Sequence, residues 1–548
     1  MTSCGGGSAG SANSRAGWIT VGTKEKPRTL DPADAYELSS FSIITNVGER
    51  LYTYDPGSTD LKPQLATALP KISADGLTYV IPIRQGVLFH DGTAFDAEAM
   101  AHSLKRFITL GGGPAFLLAD RVDYLRADPQ DKEKPPTINA DGLKATGKYE
   151  LTIKLKQPFA AFPALLAFPG ACAISPQAYP IKDAKDEQKF KTEDEEFVGT
   201  GPYKLLKKTS EGRLELVAFD KYWGTQPANK GITVQIYLGS SSNLYNSFKT
   251  GAVDVAYLSL EPDQIRSLQE GQEKKGWKVI EVDGNGTVYM MLNITQKPLD
   301  NPLVRQAVAA MIDRPLMNKR VLYGQGKPLY SLIPASFEES HAGFKTAYSS
   351  ATGDSDLEKS KALLKQAGFS AQNPARIPVW YRSSSSTHKM IANFLRAYAK
   401  KNMDGILVFE TNAAEKVSFT KMLKTGAYPV AFQDWYPDFI DVDTYIQPFL
   451  ECTKGDANGC KAGGSSEQGS FYNDPQMNKL IAAQGQAANP ADRLKILTQI
   501  QDQAVRDVPQ IPLWQSKDFI FSRPGITGVG TDPLQNLKYS NLKKSAAQ

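Results

Sequence analysis

Residues 74–95 read ADGLTYVIPIRQGVLFHDGTAF. Leu77, Tyr79, Ile81 and Ile83 alternate along this run as one face of a strand, and Asp75-Gly76 and Asp91-Gly92 turn the chain at its two ends. Asp96 then caps a helix that carries Met100, Leu104 and Phe107 on one side. Pro82 has no N–H to give to a ladder, so its place inside the strand predicts an edge or a bulge.

On the amino side of this run, Trp18 to Gly22 reads as a first strand, and Phe41, Ile44, Val47 and Leu51 recur at helical steps. On the carboxyl side, residues 301–313 read NPLVRQAVAAMID. Here Asn301 is the N-cap, Pro302 takes the first helical position, and Leu303, Ala307, Ala310 and Met311 face a core. Beyond it, helix and strand alternate. Asp354 or Ser355 opens a helix that stops at Gly368. Ile377 to Arg382 is a strand, Thr387 to Lys401 a helix, and strands at Ile406 to Phe409 and Tyr428 to Phe432 follow. This order predicts an α/β fold with βαβ units. The carboxyl ends of the sheet, where open α/β sheets hold ligands, include Arg382 and the acidic, aromatic stretch that runs to Asp443. Helices at Pro475 to Gln484 and Ala491 to Asp507, then a strand at Gln510 to Trp514, complete the pattern.

A chain of 548 residues is too long for one core and should split into two or three domains. Its 63 basic and 58 acidic residues leave a net charge of +5, spread without a basic block, which does not point to nucleic acid. No run of about 18 apolar residues is present to span a membrane.

Residues 29–35 (TLDPADA), 46–55 (NVGERLYTYD) and 74–95, in that order, resemble the extracytoplasmic solute-binding proteins of family 5, the peptide-binding components of ABC importers. GTGPY at 199–203, DKYWG at 220–224, SFKTGAVDVA at 247–256 and the helix opened by Asn301 are similar to the same family. The resemblance covers about residues 18 to 535. It implies a two-lobed periplasmic-binding-protein fold of type II, in its large three-subdomain form, with a hinge. The chain would cross between lobes near Asp283 to Leu292 and near Pro509 to Gln515. Lobe one would comprise residues 18–51, 186–287 and 509–548, with 52–185 as an inserted subdomain, and lobe two residues 288–508. Closure of such a hinge around a ligand is the motion the fold implies.

An extended peptide offers an ammonium, a carboxylate and a row of main-chain groups. In the family's peptide binders an acid follows a tryptophan by three positions, and Trp435-Tyr-Pro-Asp puts Asp438 there as the expected ammonium ligand. Arg382 stands close to the arginine that holds the carboxylate in some dipeptide binders. The main chain of Gln433, Asp434, Trp435 and Tyr436 would pair with the peptide on one side, and Tyr36, Glu37 and Leu38 would meet it on the other. Tyr36, Trp435 and Tyr436 are candidates for side-chain pockets, while Asp441 and Asp443 read as caps or solvated turn residues. The expected partners are therefore a peptide and the permease subunits of an ABC transporter, with the protein acting as a monomer.

Thr2-Ser3-Cys4 followed by glycines looks like a bacterial lipoprotein junction, although Met1 stands where a leucine is usual. Cys4 would carry the lipid, and residues 1–17 would tether an extracytoplasmic or periplasmic body to the membrane over roughly 20 Å. Cys172 reads as a buried small hydrophobe. Cys452 and Cys460 flank a Gly/Asn/Asp loop, and a disulfide is expected between them, which implies an oxidising compartment.

Enzymatic readings lack their signatures. Lys-Thr-Gly occurs at Lys249 and Lys424, but both copies end amphipathic helices, and no Ser-x-x-Lys or Gly-x-Ser-x-Gly elbow accompanies them. His90, His102, His341 and His388 are scattered, and Asp438, Asp441 and Asp443 lack the spacing of a calcium loop. The sequence thus predicts a binding protein without cofactor or metal. Family 5 also carries oligosaccharides and metal chelates, so the fold alone leaves the solute open.

Overall fold

A computed structural model of the protein describes residues 17–123, 142–181, 197–209, 212–487 and 489–545. Cys4 and the tether before Gly17 lie outside the described residues. The chain forms two compact units, Met1–Val282 with Asp518–Gln548, and Asp283–Lys517. The divisions fall inside two strands, Lys278–Leu292 and Gln510–Ser522, and the second runs past the Trp514 end expected for it from sequence.

In the first unit, strand Trp18–Thr23 pairs in parallel with Gly231–Ile236 on one side and with Val255–Tyr257 on the other. Arg213–Ala218 and Tyr203–Thr209 extend the sheet antiparallel on one flank, and residues 520–522 pair antiparallel with Val255–Tyr257 on the other. Parallel neighbours need a crossover, and the helix Ser241–Thr250 supplies one. Its Leu244 and Phe248 pack on Val253, Ala256 and Phe521. Ser240 caps this helix, and Gly251, at φ +89°, ends it in the left-handed conformation that glycine adopts without strain.

A second, antiparallel sheet of the same unit orders Lys71–Ile72, Thr78–Pro82, Glu150–Lys154 and Leu143–Gly147. Tyr79, Ile81 and Ile83 are buried and Leu77 is half-buried. Pro82 lies at the end of an inner strand rather than at an edge or bulge. Its carbonyl accepts from Thr67 N, so the missing N–H falls on that flank and not in the ladder to Glu150–Lys154. The helix Ala97–Leu110 is capped by Asp96, which accepts from Glu98 N and Ala99 N. Arg106 on this helix forms a two-pronged pair with Asp31 at 2.8 and 2.7 Å, their side chains 4% and 0% exposed.

The family-like motifs meet on one buried carboxylate. Glu49 accepts from Thr200 Oγ1 at 2.9 Å, Tyr222 Oη at 2.8 Å and Trp223 Nε1 at 2.8 Å. Burial pushes its carboxyl above the ordinary range, and these hydrogen bonds only partly oppose that. Gly201 of the same group touches the end of helix Leu38–Val47 so closely that a β-carbon would stand 2.7 Å from Val47 O.

In the second unit, Ala375–Arg382 pairs in parallel with Leu407–Ala414 and with Val430–Trp435. Val430–Trp435 is antiparallel to residues 287–292, and Gly326–Pro328 pairs with 514–516. Asn301 caps helix Pro302–Met311 by accepting from Leu303 N, although Leu303 is only half-buried and Val304 and Val308 take core places instead. Helix Leu357–Gln366 starts at Asp356, one residue beyond the later of the two candidate caps, because Asp356 accepts from Lys359 N. Helices Ser386–Asn402 and Pro490–Asp507 add Ile391, Leu395, Leu497 and Ile500 to a continuous apolar core. Each such side chain contributes about 1.5–3 kcal/mol when fully buried. The Cys452 and Cys460 sulfurs are bonded, with Cα atoms 5.6 Å apart, across a short hairpin. Among the described residues, no helix is long and apolar enough to cross a membrane.

Candidate binding site

The strand Val430–Trp435 starts two residues later and runs three residues further than the sequence predicts, because Trp435, Asp434 and Gln433 continue its ladder opposite Thr287, Val288 and Tyr289. On its other flank the parallel ladder to Ala375–Arg382 consists of Val379 with Val430 and Trp380 with Ala431, and stops there. The last four of the strand's six residues, Phe432 to Trp435, thus lie past the end of one ladder. Tyr436 follows, its side chain 42% exposed, then buried Pro437 and half-buried Asp438 in a bend.

Trp435 packs edge-on against Phe449, with ring centres 5.0 Å apart, and Phe449 packs likewise on Tyr289. The indole Nε1 is buried and makes no hydrogen bond to a described residue. Tyr436 lies over Gly286, with no side chain beneath it. The Gln433 side chain turns inward, donating to Gln468 Oε1 at 3.2 Å beside Tyr289 Oη.

Asp434 carries more charge chemistry than the sequence assigns it. Its Oδ1 accepts from His388 Nε2 at 3.0 Å, and its Oδ2 lies 3.9 Å from Arg382 Nη2. Burial alone would push the Asp434 carboxyl up, but His388 and Arg382 outweigh it and hold the group below the ordinary aspartate value. Arg382 therefore faces a carboxylate of its own chain, and its guanidinium also lies 5.7 Å from the Phe419 ring centre. His388 is absent from the candidates read from sequence, where four scattered histidines give no pattern. Its signal is positional: Ser385 caps the helix that follows the Arg382 strand and accepts from His388 N, so His388 sits in the first turn at the carboxyl edge of the sheet.

The two other acids of the stretch are structural. Asp441 caps a short helix through Asp443 N and forms a two-pronged pair with Arg493 at 2.6 and 2.8 Å. Asp443 is buried inside the short helix that Asp441 caps and accepts from Gln484 Nε2, so of the expected cap and solvated turn roles it takes neither.

In the first unit, Tyr36 is exposed and edge-on to Phe116 and Phe168. The Glu37 carboxylate accepts from Arg28 N, Tyr36 N and Ser40 Oγ, so it orders its own loop. Leu38 opens the helix Leu38–Val47, half-buried. Among the described residues, no three His, Cys, Asp or Glu side chains gather as metal ligands would.

A family model described as bacterial extracellular solute-binding proteins, family 5 Middle, matches residues 60–457. The chain is 26% identical over 526 residues to the probable D,D-dipeptide-binding periplasmic protein DdpA of Escherichia coli (strain K12), covering 94% of this chain and 92% of the relative. Two solved structures share the fold. The dipeptide binding protein of Pseudoalteromonas sp. SM9913, in complex with Met-Leu, superposes with a TM-score of 0.77 at 19% identity, covering 96% of this chain and 100% of that one. NikA of Brucella suis, in complex with Fe(III)-EDTA, superposes with a TM-score of 0.78 at 18% identity and the same coverage.

Proposed function

The chain belongs to the bacterial extracellular solute-binding proteins of family 5, and from that premise we propose that it captures peptides outside the cytoplasm and delivers them to an ABC transporter. The supporting observation is the strand Val430–Trp435, whose ladder to its parallel neighbour stops at Ala431 while the strand continues. An extended peptide can add to such an edge by main-chain hydrogen bonds, which give affinity without fixing sequence.

In this proposal Asp438, three positions beyond Trp435, receives the peptide ammonium. The main chain of Gln433, Asp434 and Trp435 pairs with the peptide backbone, and Trp435, Tyr436 and Tyr36 shape side-chain pockets. Glu37 and Leu38 contribute main chain and shape, since the Glu37 carboxylate already serves its own loop. Binding and release involve no covalent step. The lipid anchor at Cys4 and a monomeric state belong to the same proposal, and are checked by radiolabelled palmitate incorporation in cells and by sedimentation.

The test is mass spectrometry of the small molecules that co-purify with the protein from its native compartment. Peptides are the expected result. An oligosaccharide or a metal chelate in their place contradicts the proposal.

A further inference from the structure

Arg382 is the cation that a dipeptide's terminal carboxylate would be expected to seek, yet its surroundings already supply an anion. Its Nη2 lies 3.9 Å from Asp434 Oδ2, and the two side chains are 25% and 34% exposed, so both remain reachable. Asp434 is not at liberty to swing away. His388 Nε2 donates to its other oxygen at 3.0 Å, and the His388 side chain is only 1% exposed, anchored in the first turn of helix Ser386–Asn402. On the guanidinium itself, Nε is buried and makes no hydrogen bond to a described residue, which leaves the edge shared with Asp434 as the reachable one.

A second carboxylate arriving at Arg382 would stand within a few ångströms of Asp434 in a half-buried setting, where like charges repel more strongly than in water. A peptide amide meets no such penalty. Its carbonyl can accept from Arg382 while an N–H donates to Asp434, so a dipole is matched by a pair of opposite charges. Resting on the peptide reading above, we propose that Asp434 is a positioning residue, the internal counter-ion of Arg382. The pair then selects for the main chain of peptides longer than two residues and against a free terminal carboxylate at this point.

The test is calorimetry with a library of di- to hexapeptides, each as free acid and C-terminal amide. On the wild type, amidation of a dipeptide should not weaken its binding and should tighten it where the carboxylate stands beside Asp434, and peptides of three or more residues should bind at least tenfold tighter than dipeptides. Asp434→Asn should unmask Arg382, so that dipeptide acids bind at least tenfold tighter than their amides, and Asp434→Asn with Arg382→Gln should abolish that gain. Arg382→Gln alone should leave the acid-to-amide ratio within threefold, a readout that does not depend on how Asp434→Asn folds. A general loss of structure lowers all affinities but does not move the ratio. The inference is overturned if the wild type binds dipeptide acids tenfold better than their amides, or if folded Asp434→Asn leaves the ratio unchanged. Should no peptide bind the wild type in either form, the peptide reading itself fails, which is a different result from peptides that bind with the wrong ratio.

Discussion

The Tyr436 ring lies across Gly286 so closely that a β-carbon on the glycine would stand 2.6 Å from Tyr436 Cε1 and 2.7 Å from Ser516 Oγ. The glycine keeps the strand Lys278–Leu292 bare at the place where the half-exposed aromatic settles.

Gly286→Ala is therefore expected to move Tyr436 rather than unfold the protein, because the ring can swing outward. Peptide affinity should fall about tenfold or more, roughly 1.4 kcal/mol per decade, while thermal stability changes little. Calorimetry paired with a melting curve checks this. Unchanged affinity would remove Tyr436 from the ligand wall.

Asp518 carries a pH signature. It is buried, with Gln535 Nε2 donating to it at 2.6 Å, and burial pushes its carboxyl up to about 6. An unfolded aspartate titrates near pH 3.9. The raised value means that folding favours the protonated form, so this contribution is complete below about pH 4 and is lost as pH rises through about 6. At pH 7.5 the buried charge costs on the order of 3 kcal/mol. Asp518→Asn should be more stable than the wild type by about 2–3 kcal/mol at pH 7.5 and equal to it near pH 4. The introduced amide can donate to Gln535 Oε1, which is buried and makes no hydrogen bond to a described residue. Urea midpoints at the two pH values decide, and an equal difference at both would contradict the prediction.

Arg106→Ala strips the buried Asp31 carboxylate of its two-pronged partner. Breaking a buried pair from one side costs about 3–5 kcal/mol. Equilibrium unfolding should register that loss, and a change under about 1 kcal/mol would mean that water replaces the pair at no cost.

Cys452→Ser with Cys460→Ser should cost about 2–3 kcal/mol through the loop entropy returned to the unfolded chain. Reduction of the wild type should reproduce the same shift in urea midpoint, and no shift under either condition would contradict the loop-entropy account.

Much of the architecture is local and was legible. Asn301-Pro302, Asp96 and the alternation of Tyr79, Ile81 and Ile83 announce caps and faces within a few residues of themselves. What escaped depends on register between distant segments. Arg382 and Asp434 become neighbours only because the two parallel strands pair in the register that sets Val379 beside Val430, and His388 joins them only because the following helix begins at that edge. Strand Gln510–Ser522 outruns its apolar signal because Lys517 and Asp518 continue it as charged residues where the chain passes between units. Pro82 reads as an edge or bulge residue because the sequence does not say which flank its missing N–H faces.

The measurement closest to the central claim is calorimetry of the co-purifying peptide on wild type and Asp438→Ala. If Asp438 receives the ammonium, the substitution should weaken binding by several kcal/mol, a hundredfold or more in Kd. Acetylating the peptide's amino terminus should then erase most of the difference between the two proteins. Affinities for the free peptide that agree within threefold would contradict the account.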